Sequence, residues 1–146
     1  MLPAPFSHLQ RYSLPATEQR LSDDLSLPWT SGMQDWAIEV GHAALVPRLF
    51  ELLRRGDRSD LERSSLMTLA VACVAAALID GAGPMILEDL RHLLIIEPAL
   101  RASTIYYWAE PVLDGEDIES WFDISSFMAG VWREVRDGLP SGPPSA

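Results

Sequence analysis

The chain has 146 residues, the size of one ordinary domain, and nearly half of them are apolar, enough to bury one sizeable core. It carries 21 acids against 11 arginines and no lysine, a net charge of −10 that argues against nucleic acid or an anionic membrane as partner and suits a basic protein. Its single cysteine, Cys73, excludes an internal disulfide and a cysteine-based zinc site.

Residues 1–10 lack the basic region and apolar run of a signal peptide, and a cytoplasmic protein is expected. Residues 1–29 read as an arm, partly extended and punctuated by Pro3, Pro5, Pro15 and Pro28, with one short helix over 16–25. Leu2, Phe6, Leu9, Tyr12 and Leu14 are enough to lie across a core and too scattered to form one. A helical domain is expected over 30–137. Thr30 or Ser31 caps a first helix running to Val40 or Gly41, with Met33, Trp36, Ala37 and Val40 on one face. Gly41 and Pro47 impose a break over 42–46, and Pro47 starts a helix that ends at Arg55 and Gly56.

The stretch 59–84 organises the chain. Ser59 and Glu62 have capping-box spacing, and no charge follows from 64 to 79. Gly81 suits the left-handed position after a helix, and Pro84 suits the start of the next. A helix that is apolar all round must be buried all round, so 59–80 is the expected central helix. Its apolar run, 66–79, falls short of the roughly 20 residues that span a membrane.

After Pro84, a buried stripe of Ile86, Leu87, Leu90, Leu93 and Leu94 faces away from a wet side of Glu88, Asp89, Arg91 and His92. Pro98 opens a helix over 99–109, which Glu110 and Pro111 are expected to end. A last helix is read over 117–136, with Ser125 and Ser126 as a point where it could restart. Residues 138–146 are expected to be a disordered tail. No segment alternates like a strand. The fold class is therefore all-α: a compact single-domain bundle of about five to seven helices around a buried central helix.

The inventory for catalysis is thin. Cys73 lies mid-helix among apolar neighbours, with no basic group to lower its pKa, and reads as inert. Glu88 and His92 share a helix face, but the other histidines, His8 and His42, lie in separate segments and supply no third ligand. No phosphate loop, dinucleotide fingerprint or nucleophile motif occurs. The chain is read as a non-enzyme with no catalytic residue, metal or cofactor.

The charge is uneven. Residues 111–146 hold 7 acids against 2 arginines, half of the net charge. Asp114, Glu116, Asp117, Glu119 and Asp123 fall in ten positions without a base, interleaved with Trp121 and Phe122. Such a patch fits docking to a basic partner, aromatic anchors giving affinity and charge giving rate. It fits equally a capped helix start with its aromatics in the core. Candidate partner-binding residues are Asp114, Glu116, Asp117, Glu119, Trp121 and Asp123, and secondarily Glu88, Asp89 and His92.

Three stretches carry a resemblance: Trp36-Ala-Ile-Glu-Val-Gly, Leu61-Glu-Arg-Ser-Ser-Leu-Met-Thr-Leu-Ala-Val-Ala-Cys, and Trp121-Phe-Asp-Ile-Ser-Ser-Phe-Met-Ala-Gly-Val-Trp-Arg-Glu. They resemble small acidic helical immunity proteins, or antitoxins, of bacterial competition systems, which bind a cognate toxin and occlude it. The resemblance falls mainly on core positions and carries no binding residue across. It implies a protein-binding module with a basic toxin or effector as partner. The alternatives are a structural or adaptor protein acting as a homodimer, and a helical domain for a small ligand.

Overall fold

Caps and prolines set the helix boundaries. The computed structural model describes residues 1–115 and 122–142, leaving aside the side chains of Phe122 and Asp123. Among the described residues there are seven α-helices and no strand: α1 (Pro15–Leu25), α2 (Trp36–Val40), α3 (Val46–Arg55), α4 (Asp60–Ile79), α5 (Met85–Ile96), α6 (Pro98–Leu113) and α7 (Phe122–Val135). The chain is all-α, as its patterning requires. Its contacts gather into two compact units, one of Tyr12–Leu93 and one of Met1–Arg11 with Leu94–Ala146. The division falls inside α5.

In the first unit α4 is the centre. The Ser59 hydroxyl accepts a hydrogen bond from the Glu62 N–H at 3.2 Å, and the helix runs 20 residues to Asp80. Gly81, at φ 94°, takes the backbone region that favours glycine and turns the chain out. Leu66, Met67, Leu69, Ala70, Val71, Cys73 and Val74 are wholly buried, and α1, α2 and α3 all pack on this helix. Burial fails at the two ends, where Leu61 in the first turn and Ile79 in the last stand exposed. By length and composition α4 as a whole could cross a membrane, because the full helix extends beyond 66–79; 61% of its most apolar window is buried inside the protein.

The helices around α4 are tied by polar contacts. The Trp36 indole N–H donates to the Ser22 hydroxyl at 2.7 Å, joining α2 to α1 with both residues buried. Arg20 on α1 reaches Glu62 on α4 at 3.3 Å, and the Ser13 and Ser65 hydroxyls meet at 2.8 Å. Gly41 ends α2 hard against α4. A Cβ there would lie 2.5 Å from the Ala37 carbonyl oxygen and 3.4 Å from both Ala72 Cβ and Cys73 Sγ.

Two helices differ from expectation. α2 does not begin at Thr30 or Ser31; residues 30–33 form a turn, with the Met33 N–H bonded to the Thr30 carbonyl. Asp35 is the cap, its carboxylate accepting from the Ile38 N–H at 3.4 Å. α6 does not stop at Glu110. Pro111 lies in its last turn, where it removes one backbone donor while the Asp114 N–H still bonds to the Glu110 carbonyl at 2.8 Å. α7 runs unbroken through Ser125 and Ser126.

The second unit is built on the α6–α7 pair, with Leu100, Ile105, Trp108, Ile124, Met128, Val131 and Trp132 in its core. Met1–Arg11 closes it as a strap. Leu2 is 4% exposed, and its N–H donates to the Gln10 side-chain oxygen at 2.7 Å. The Gln10 amide donates to the Ser103 hydroxyl on α6 at 2.7 Å, and that hydroxyl also bonds the Arg11 backbone. The Phe6 ring meets the Trp132 ring edge to face at 5.7 Å. Within the segment expected to be a tail, Leu139 is buried and the Gly142 N–H donates to the Pro5 carbonyl at 3.1 Å. Two contacts do most to hold the strap down: the burial of Leu2 contributes about 1.5–3 kcal/mol, and the aromatic pair about 1 kcal/mol. The entropy lost in ordering the strap opposes both.

Two outcomes follow for the first unit. Ser22→Ala leaves the buried Trp36 indole N–H without its acceptor and is expected to cost about 1–3 kcal/mol in urea unfolding. Glu18 on α1 has its pKa raised above 4.5 by partial burial and by Asp35, against an opposing hydrogen bond from Ser13. A raised carboxylate favours the fold when protonated, so its contribution is full below 4.5 and is lost as pH rises through the folded value. The stability of wild type relative to Glu18→Gln should therefore fall with rising pH across a window that starts near 4.5 and extends above it, as read by thermal melts from pH 4 to 7.

Candidate partner-binding surfaces

Residues 85, 88, 89 and 92 recur at helical spacing, so they share one face of α5. The buried residues of that helix, Leu90, Leu93 and Leu94, look the other way, and Ile86 and Leu87 are half-buried. Pro84 starts the helix by accepting from the Leu87 and Glu88 N–H groups. Met85, 80% exposed, leads the outer face, followed by exposed Glu88, Asp89 and His92. Ile79, 78% exposed, stands on the other side of the α4–α5 turn.

The acids on this face are not equivalent. Glu88 Oε1 lies 3.5 Å from Arg91 Nη1 and 3.5 Å from His92 Nε2, so its charge is met along its own helix. Asp89 is in no ion pair among the described residues. Exposed pairs such as Glu88–Arg91 contribute little to stability.

Asp114 belongs to the second unit. It is exposed and caps the C-terminal end of α6. Negative charge there opposes the helix dipole. Glu110 lies one turn back, and both carboxylates bear on Tyr106. Burial first, and then these two acids, raise the Tyr106 hydroxyl above its ordinary pKa of 10. The Tyr106 ring packs on Trp132 at 5.0 Å, which fixes it beside them. Glu116, Asp117, Glu119 and Trp121 lie outside the described residues, as does the Asp123 side chain. The structure thus gathers Glu88, Asp89 and His92 on one helical face and puts Asp114 with Glu110 and Tyr106 at the end of α6.

Counting acids by unit changes the weight given to the C-terminal run. Tyr12–Leu93 holds 12 acids and 7 arginines, and the other unit 9 acids and 4 arginines, a net −5 each. Both units are acidic, so the α5 face is as much a candidate as the run after Asp114.

Cys73 is no nucleophile. Burial pushes its thiol up to about 11, against a weaker opposing bond from the His42 backbone, and it stays protonated at neutral pH. Among the described residues no group of three His, Cys, Asp or Glu is placed to hold a metal ion. Arg101 is 3% exposed within α6, a buried guanidinium that sequence reading passed over because Leu100 and Ala102 flank it. The polar pair that seats the strap, Gln10 and Ser103 on α6, was equally invisible, since its members are 93 positions apart.

No protein-family model, curated protein or solved structure matches the chain.

Asp114→Asn removes one of the charges that raise Tyr106. Tyr106 should then titrate closer to 10, as followed by ultraviolet absorbance between pH 9 and 12, while Asp89→Asn leaves that midpoint where it was.

Proposed function

We propose that the chain is a protein-binding module that docks a basic partner, in its most specific form an immunity protein or antitoxin that neutralises a cognate toxin by occluding it. The observation that carries the binding reading is acidic charge put where the fold does not profit from it. Asp114 crowds the negative end of a helix and presses on Tyr106, and Asp89 stands on an open face, neither in an ion pair among the described residues. Charge that folding does not reward is available to steer and hold a partner. Met85 supplies an apolar contact beside Asp89 on the α5 face. The immunity form rests on the resemblance of the stretches beginning at Trp36, Leu61 and Trp121.

The test is capture with the tagged chain from its host's lysate at low and at high salt. One stoichiometric partner should be recovered, held less well at high salt. It should be held less well again, by about tenfold or more, when Asp89, Asp114, Glu116, Asp117 and Glu119 are all changed to their amides. The immunity form further requires that the partner be toxic when expressed alone and harmless beside this chain. A partner indifferent to salt and to the five amides would overturn the docking reading, and a harmless partner would overturn the immunity form.

A further inference from the structure

The strap Met1–Arg11 has a construction that the binding reading does not use. It belongs to the unit of Leu94–Ala146, while the next residue, Tyr12, already belongs to the other unit. The strap is therefore held to its seat by side chains and backbone alone, without flanking structure of its own. Only Leu2 in it is buried; Phe6, Leu9 and Gln10 are half-buried, and the remainder is exposed. It is held by the buried Leu2, the Phe6–Trp132 ring contact and the Gln10–Ser103–Arg11 clasp, with the Gly142–Pro5 backbone bond and a 4.0 Å pairing of the Met1 ammonium with Glu110 beside them. The strap's partners in the seat, Ser103, Glu110, Trp132 and Gly142, all come after residue 93. Residues 11–14 form no helix, and Tyr12 and Leu14 are exposed, so the connection has little to hold it beyond the Ser13–Ser65 hydroxyl contact.

A segment with few buried groups, a seat made elsewhere in the chain and a non-helical connection with little holding it is suited to exchange between identical chains. We propose that the seat on α6 and α7 is an interaction surface for a second copy of this chain. Two molecules trade straps, each Leu2, Phe6 and Gln10 making the same contacts in the other's unit. The chemistry that selects the occupant is explicit. It must present a leucine, an aromatic ring four residues on, and a side-chain amide four residues after that to meet the Ser103 hydroxyl. The strap is the one segment of the described chain seen to do this. The inference does not rest on the toxin-binding reading.

The test uses the full chain with Phe6→Ala and Gln10→Ala, which weaken its own strap and leave Ser103 and Trp132 in the seat. A labelled peptide with the sequence of residues 1–11 is titrated in and followed by fluorescence anisotropy. The weakened chain should bind the peptide at least about tenfold more tightly than wild type does, and adding Ser103→Ala should take most of that gain away. Circular dichroism confirms that each variant keeps its helices. A second measurement needs no variant: wild type in sedimentation equilibrium should show a dimer that grows with concentration and is dissolved by unlabelled peptide. Absence of peptide binding by the folded, weakened chain overturns the proposal. A monomer at every concentration, or a dimer that the peptide does not disturb, overturns the second copy as occupant.

Discussion

An uncharged helix surface has to be covered on every side, and α4 is such a surface for most of its length. From Ser64 to Val74 the helix offers water almost no group it can solvate favourably. Each neighbour in its unit is accordingly shaped to it. α1 brings Leu21 and Leu25, α2 brings Trp36, Ala37 and Val40, and α3 brings Leu49, Phe50 and Leu53, all buried. Their polar ties come at the margins of that contact, where Ser22, Glu62 and Ser65 find partners without interrupting it. Gly41 shows how close the fit is, since even a methyl group at the end of α2 meets the backbone.

Much of this architecture is legible from local chemistry. Ser59 with Glu62, Gly56, Gly81 and the prolines at 47 and 98 each act within a few residues, so the boundaries of α3 and α4 follow from the sequence. The misreadings have local causes too. Thr30 and Asp35 are both competent caps, and the stronger acceptor nearer the apolar face won. Pro111 reads as a stop because it lacks a donor, yet a proline in the last turn costs a helix only one rung.

What sequence reading cannot reach is pairing across distance. Nothing near Gln10 announces Ser103, and nothing near Phe6 announces Trp132. The candidate site is legible to the same limited degree. Helical spacing correctly brings Glu88, Asp89 and His92 to one exposed face. That Asp114 presses on a half-buried tyrosine depends on how α6 and α7 meet, and no spacing rule contains it.

The strap also has a bearing on how the protein is made. The chain emerges from the ribosome in order, and Tyr12–Leu93 holds α4 with the α1, α2 and α3 helices that pack on it, so that unit is available to fold while the remainder is still being synthesised. The strap is made before its seat and can be placed only once that seat exists, because Ser103 and Trp132 come roughly a hundred positions later. Through that interval Leu2 and Phe6 travel unseated. Closing so large a loop is the slow kind of contact, and it makes the strap wait for residues that come long after it.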